Sequence, residues 1–338
     1  MTGTVLVSGG SGYIAGYLIR QLIAEGWTVR TTVRSLSREA EVRRVLAVDN
    51  AKLSFFAADL TSDAGWAEAM TGCSHVAHVA PPFPAAAPKH DDELIVPARD
   101  GALRALRAAK GAGVRRFVLT SSSAAIGCGH AGIERPFTEA DWTNVDGPNV
   151  YAYVKSKTIA ERAARDWVAS EGGDIEFCTV NPSLVLGPVM SADMSTSVEA
   201  VKKLLDGSIP GLPNLSFPAV DVRDVADLHV RALKAPDMAG ERFIASGPTV
   251  SMAEIAAILR ARLGNEARRV PTLRLPDFMV RIAAMFDPVM RQVTGELSKP
   301  KIMDASYALE KLGWKTRAIE DSVVDTARSL FDLGIVKV

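Results

Sequence analysis

The stretch Thr4-Val5-Leu6-Val7-Ser8-Gly9-Gly10-Ser11-Gly12-Tyr13-Ile14-Ala15-Gly16 decides the fold. An apolar, β-branched run enters a glycine-rich turn, and the turn enters a helical pattern over residues 13–24. Two glycine registers fit, Gly9-x-x-Gly12-x-x-Ala15 and Gly10-x-Gly12-x-x-Ala15. In either register glycine permits a tight turn and close approach of backbone to a pyrophosphate. The small Ala15 lets helix and strand pack, and the helix N-terminus supplies amide donors. Three neighbouring glycines alone make only a turn. Between a strand and a helix at the head of a βαβ series they point to a dinucleotide site.

Outward from this turn, strand-like runs at residues 27–33, 53–57, 75–79, 116–121 and 175–180 alternate with helical patterns, the longest at 92–112 and 150–169. Apolar strands of this kind suit a parallel sheet covered on both faces. The expected class is α/β, a doubly wound parallel (Rossmann) sheet with a smaller, mostly helical C-terminal substrate region. Residues 1–182, with 219–245 returning to them, are expected to form the cofactor-binding part; residues 183–218 and 246–338 the substrate region. After Pro182 the alternation breaks down, and prolines stand at 188, 210, 213 and 218.

The 338 residues carry 39 basic and 39 acidic side chains, a formal net charge of zero. Neutrality removes the electrostatic reason to bind nucleic acid or an anionic membrane surface. Cys73, Cys128 and Cys178 are odd in number and far apart, which suits reduced thiols in a cytoplasmic protein. The chain opens without a basic leader, so no signal peptide is expected, and no run of about 18 apolar residues exists to span a bilayer. The segment 276–293 is rich in Met, Phe, Ile and Val, but Arg281 and Arg291 are its only cations. Burial or subunit packing is expected there rather than a membrane-surface helix.

The second strand bears on which dinucleotide is bound. An NAD site places a carboxylate about 20 residues past the loop, on the adenosine ribose. Here the chain reads Thr28-Val-Arg30-Thr-Thr-Val-Arg34-Ser35, with no carboxylate before Glu39. Arg30, Arg34 and Arg38 offer charge-assisted bonds to a 2′-phosphate, so NADP(H) is the expected cofactor. Asp59, with Leu60 after it, reads either as an adenine contact or as a cap ending the third strand.

The segment Tyr151-Ala-Tyr153-Val-Lys155-Ser-Lys157 holds two overlapping Tyr-x-x-x-Lys pairs. Residues four apart share a helix face, where an ammonium lowers the pKa of a phenol. From Tyr153 and Lys157 the helix steps to Ala160, Ala164 and Trp167; from Tyr151 and Lys155 it steps to Thr158, Arg162 and Asp166. The first pair is expected to face the fold and the second water. The run Phe117-Val-Leu-Thr-Ser121-Ser122-Ser123 ends a strand, where ligands of open α/β sheets sit, so a serine hydroxyl there can hold a substrate carbonyl.

Together these stretches resemble the extended short-chain dehydrogenase/reductase family, and within it the dihydroflavonol reductase, cinnamoyl-CoA reductase and aldehyde reductase group. The likeness also rests on His78-Val-Ala-Pro-Pro82, Asn181-Pro-Ser-Leu-Val-Leu-Gly-Pro188 and Leu312-Gly-Trp-Lys315. It implies a soluble NADPH-dependent carbonyl reductase, a monomer or homodimer acting on a small molecule. Ser122 would orient the carbonyl, with Ser123 as fallback; Tyr153 would be the acid/base; Lys157 would tune it and bind the nicotinamide ribose. Gly9, Gly12, Tyr13, Ile14, Arg34, Asp59 and Leu60 belong to the implied cofactor set. Val79, Ala80 and Pro81 would line the cofactor, Pro182, Ser183 and Val185 would lie near the nicotinamide, and Arg30 matches the 2′-phosphate arginine. Where flavonoid reductases carry a substrate-contacting asparagine this chain has Gly127, so a flavonoid is not supported.

Sugar-modifying epimerases and dehydratases share the implied fold but carry an arginine where this chain has Cys178. Hydroxysteroid dehydrogenation differs mainly in the pocket, and a non-catalytic cofactor sensor would have no need for serine, tyrosine and lysine in register. Phe83, Ile126, Val189, Met190 and Phe217 read either as the lining for a bulky apolar or aromatic substrate or, equally, as core. His75 and His78 point opposite ways along a strand, so no metal pair is expected. Cys128 lacks an evident activating partner, Cys178 reads as core, and the basic run Arg99, Arg104, Arg107, Lys110, Arg115, Arg116 reads as a solvated helix face.

Overall fold

The computed structural model describes residues 3–79, 88, 90–286 and 294–337. Strand and helix alternate first: β1 (Thr4–Val7), α1 (Tyr13–Ala24), β2 (Thr28–Val33), α2 (Glu39–Leu46), β3 (Leu53–Ala57), α3 (Trp66–Met70), β4 (His75–His78), α4 (Asp92–Gly111), β5 (Arg116–Thr120), α5 (Ala152–Glu171) and β6 (Glu176–Pro182). Then follow β7 (Leu184–Leu186), α6 (Thr196–Leu205), β8 (Leu212–Pro213), β9 (Ser216–Asp221), α7 (Val222–Lys234), β10 (Arg242–Ala245), β11 (Thr249–Ser251), α8 (Met252–Leu263), β12 (Arg274–Leu275), α9 (Asp277–Ala283), α10 (Ser306–Leu312) and α11 (Ile319–Asp332).

Seven parallel strands form the main sheet in the order β10-β6-β5-β4-β1-β2-β3. Helices cover both faces, as the apolar strands require. On one side α1 packs on α7 over Leu18, Leu22, Val225 and Phe243. On the other, α3, α4 and α5 bury Trp66, Leu106, Phe117 and Trp167. Strand order reverses between β1 and β4, and such a reversal opens a crevice at the carboxyl ends of the strands.

At Ser183 the chain leaves the main sheet, its amide bonded to Ala245 O at 3.1 Å. The C-terminal region is less helical than its sequence suggests. Short strands form a three-stranded sheet, β11-β9-β7, and a pair, β12-β8, between the helices. Proline-rich runs of two to six residues are too short for a clear period-two signal. The segment 276–293 also departs from expectation: Val280 is buried, but Phe278, Met279 and Ile282 on α9 are exposed, and 287–293 lie outside the described residues. Among the described residues no helix is long and apolar enough to cross a membrane. Arg116 departs from its solvated run: it opens β5 and buries its guanidinium against the Ala232 and Ala235 carbonyls and the Glu176 carboxylate.

Between β5 and α5 the chain must fold back tightly enough to bring the start of α5 over the end of β5. Two glycines make this possible. A Cβ at Gly147 would lie 2.0 Å from Gly129 O, and one at Gly129, whose φ is 74°, would lie 2.0 Å from Asn144 O. Backbone against backbone leaves no flexible partner to yield. Gly147→Ala is therefore expected to destabilise the protein by about 1–3 kcal/mol, the usual scale of forced overpacking, read as a lowered urea midpoint with an unchanged m-value.

Candidate active site and cofactor cleft

The glycine turn holds its backbone low over the sheet. Gly9 takes φ 72° and its amide donates to Thr32 Oγ1 at 3.0 Å, while the Gly10 amide donates to Thr32 O at 2.9 Å. A Cβ at Gly10 would lie 2.3 Å from Thr31 Oγ1, and one at Gly12 would lie 3.1 Å from Gly9 O. Tyr13 and Ile14 open α1, so the amides of its first turn have no partner within the helix. This bare cradle at a helix N-terminus fits the pyrophosphate of a dinucleotide. The Tyr13 side chain turns away from it, donating to Gly187 O at 2.6 Å. Across the strand reversal, Ser8 Oγ accepts from the Val79 amide at 2.9 Å and bonds His78 Nδ1 at 3.0 Å. Ala80, Pro81 and Phe83 lie outside the described residues.

Arg30 does not reach the cofactor end. It sits in mid-strand opposite Leu6, its guanidinium 4.0 Å over the Phe56 ring and bonded to Glu68 O at 2.7 Å. α3 runs from the carboxyl end of β3 toward the amino end of β4, so Glu68 draws the guanidinium away from the glycine turn. Arg34, four residues on, is exposed just past the carboxyl end of β2. It lies near Asp59, whose carboxyl group is held low by bonds from the Thr61 hydroxyl and amide. Asp59 thus closes a turn, and α3 has Gly65, not Asp59, at its N-cap. Leu60 packs against Gly101 of α4. Arg38 bridges Glu41 at 3.1 Å and Asp193 at 3.4 Å beside the glycine turn.

Ser122, Tyr153 and Lys157 come together. Ser122 follows β5 and its hydroxyl is hydrogen-bonded to Tyr153. The Lys157 ammonium lies 5.7 Å from the centre of the Tyr153 ring. Ala160, Ala164 and Trp167 are buried beneath, as the helix-face argument requires. Burial raises the Tyr153 phenol and the Ser122 bond opposes it. Burial pulls Lys157 down to about 7, against the attraction of Glu161. Ser123 is half-buried, one step further along the turn. Pro182 ends β6, Ser183 Oγ bonds Ala245 O at 3.4 Å, and Val185 is buried in the core below.

The second Tyr/Lys pair does not face water. Tyr151 precedes α5 as its N-cap, in extended backbone, so the helical wheel does not apply to it. Its ring stacks on Tyr153 with centroids 6.4 Å apart, and burial pushes its phenol well up, with Cys128, Tyr153 and Glu296 adding to the effect. Lys155 bonds Asp91 of the α4 N-terminus at 2.6 Å. Beside Tyr151, Cys128 does have a cationic partner: Lys301 Nζ is 3.6 Å from its Sγ, and Glu296 holds Lys301 at 2.7 Å. No sequence signal links 128 to 296 and 301.

Two expected pocket residues are core. Ile126 is buried with Phe137, Ile244 and Met303, and Val189 is buried among Leu186, Val198 and Leu204. Phe217 and Met190 are half-buried. A Cβ at Gly127 would lie 2.7 Å from Met303 Cε, so that methionine fills the space of the missing side chain. Sequence reasoning missed Glu161, fully buried one turn past Lys157, together with Arg242 and Asn181 around it. Spacing from Lys157 could have found Glu161; Arg242 and Asn181 reach it only through the sheet. Among the described residues, no three His, Cys, Asp or Glu side chains converge as a metal site.

Comparison with known proteins agrees with this geometry. The model of the NAD dependent epimerase/dehydratase family matches residues 5–245. The chain is 34% identical to a dihydroflavonol 4-reductase of Zea mays, over 99% of this chain and 90% of that protein. It is 35% identical to the cinnamoyl-CoA reductase CAD2 of Medicago truncatula, over 81% of this chain and 82% of that protein. The solved yeast methylglyoxal/isovaleraldehyde reductase Gre2, complexed with NADPH, superposes with a TM-score of 0.82 at 25% identity, covering 98% of this chain and all of that one, 100%.

The thiols give a direct check on the packing. Burial pushes Cys73 up to about 11, Cys178 up to about 12 and Cys128 upward despite Lys301. None of the three should react with iodoacetamide at pH 7.5 in native protein while denatured protein labels fully, as counted by intact mass.

Proposed function

We propose that this chain, which belongs to the NAD dependent epimerase/dehydratase family of extended short-chain dehydrogenases/reductases, reduces a bulky apolar or aromatic aldehyde or ketone with hydride from NADPH and a proton from Tyr153. It is an NADP-dependent oxidoreductase acting on CH–OH and C=O groups. The observation that carries the finer reading is the Ser122–Tyr153 hydrogen bond with Lys157 alongside, at the carboxyl ends of the strands and next to the glycine turn.

Bound NADPH supplies the hydride to the carbonyl carbon. Ser122 holds the carbonyl oxygen where Tyr153 can protonate it. A donor must keep its proton until the oxygen becomes basic, and burial does this for Tyr153. The Lys157 ammonium stabilises the phenolate left behind and binds the nicotinamide ribose. Reduction should therefore weaken as pH rises through about 7, where Lys157 loses its charge. Arg34 holds the 2′-phosphate in place of Arg30. Residues 1–182 with 219–245 serve the cofactor, and 183–218 with 246–338 the substrate. The place of β10 in the main sheet supports this division, and β9 straddles it.

Tyr153→Phe should lower turnover by about 10²–10⁴-fold, the scale of general acid catalysis, with NADPH affinity nearly unchanged by fluorescence titration. Tyr151→Phe keeps the ring on Tyr153 and should leave turnover within about tenfold, below that scale. Turnover that survives Tyr153→Phe and vanishes with Tyr151→Phe would reverse the assignment. Arg34→Asp should cut the preference for NADPH over NADH by roughly ten- to a hundredfold, the worth of one charge-assisted contact. Arg30→Asp should instead lower stability and leave the cofactor ratio in place.

A further inference from the structure

Glu161 is buried completely, yet it lies one helical turn from the reacting groups. Its Oε1 accepts from Arg242 Nε at 2.7 Å and from Arg165 Nε and Thr179 Oγ1 at 3.3 Å. Its Oε2 accepts from Asn181 Nδ2 at 2.8 Å and from the Ser121 hydroxyl. The same Asn181 amide donates to Ser122 O at 3.2 Å, and Arg242 donates to Ala125 O at 3.1 Å and Glu139 O at 2.9 Å. One carboxylate thus gathers α5, β5, β6 and β10 around the Ser122 turn. Glu161 and Lys157 also line one small cavity of about 20 Å³, room for a single water, together with His78 and Ser121. Stability alone is a poor reason for such a network, because well-packed apolar residues often replace a buried ion pair at no loss.

We propose that Glu161 is a positioning residue for the reduction, its carboxylate fixing the Ser122 turn through Asn181 and Arg242 and serving as the counter-charge of the Lys157 ammonium. This rests on the reading of Ser122, Tyr153 and Lys157 as the reacting set. The charged or titratable groups facing Lys157 are His78 from β4 and Tyr153 and Glu161 from α5; β5 offers Thr120 and Ser121, and α4 only Ala98 and Ala102. Around Glu161 the cations are Arg165 of α5 and Arg242 of β10. His78 stays neutral, pushed down to about 4 by burial and by Lys157. Burial favours the neutral amine at Lys157 and Glu161 opposes this, so removing the anion makes the ammonium give up its proton at lower pH.

The test measures NADPH affinity by fluorescence between pH 5.5 and 9 (about the span that brackets a lysine shifted to neutrality), with kcat and KM alongside. In the unaltered protein, affinity should fall as pH rises through about 7. Glu161→Gln should move that midpoint down by about one pH unit and lower kcat by on the order of tenfold to a hundredfold, the effect of a small misplacement, with little change in KM. Arg242→Lys keeps the cation but loses the fork to the Ser122 turn, so it should lower kcat on that scale with the midpoint in place. An unmoved midpoint in folded Glu161→Gln protein overturns the proposal. If that variant does not accumulate folded, Arg242→Lys decides, and full kcat there overturns it. Failure of the Tyr153 assignment shows separately, in the turnover of Tyr153→Phe, because the midpoint is read from NADPH binding alone.

Discussion

The reversal of strand order between β1 and β4 is the constraint on which the rest depends. To either side the crossovers run in opposite directions, so a crevice opens there and every loop that leaves a strand's carboxyl end can reach it. The glycine turn follows β1, Arg34 follows β2, Val79 follows β4, Ser122 follows β5 and Ser183 follows β6. Tyr153 and Lys157 are the exception, arriving on a helix that must be pinned over the sheet. Contact of α5 with α4, the Lys155–Asp91 pair and the backbone-to-backbone packing of Gly129 on Gly147 do the pinning.

A site of this kind must carry charge where water is scarce. An unpaired buried ion costs several kcal/mol even after relaxation, so each charged group here needs partners of its own. Burial pulls the Lys157 ammonium down to about 7, and the Glu161 carboxylate one turn away is the charge that opposes this. Glu161 has five donors and stays ionised, because Arg242 and Arg165 outweigh the effect of burial. The contrast follows from geometry: both groups are buried, but Glu161 is surrounded by donors from three strands and its own helix, while Lys157 faces a small cavity that it shares with His78, Ser121 and Glu161.

Local patterns were legible and long-range ones were not. The six strands through β6 and helices α1, α4 and α5 stand within two residues of the runs that announced them, while α2 and α3 carried no such assignment; stepping by four residues found the buried Lys157, Ala160, Ala164 and Trp167. The same stepping misjudged Tyr151, because that residue stands at the N-cap, where extended backbone replaces the helical period. Arg30 misled for a related reason. Arg30 lies within β2 and Arg34 just past its end, and only the position of α3 shows that the inner one is taken by Glu68 and Phe56. Arg242 lies 81 residues from its carboxylate partner and meets it only because β10 joins the sheet beside β6.

The substrate side follows a different logic from the reacting side. Met303 occupies the space that a side chain at Gly127 would fill, and Ile126 is sealed beneath it, so these two positions bring no polar side chain to the turn after β5. Polar atoms near Tyr153 come instead from Cys128 and Tyr151 of the β5–α5 connection and from Glu296 and Lys301 of the segment before α10. Glu296 and Lys301 satisfy each other and the thiol is kept neutral by burial, so this wall presents little net charge. Stacked phenol rings beside a mutually neutralised ion pair thus make this wall flat and low in net charge, with its cation already paired rather than open to a phosphate.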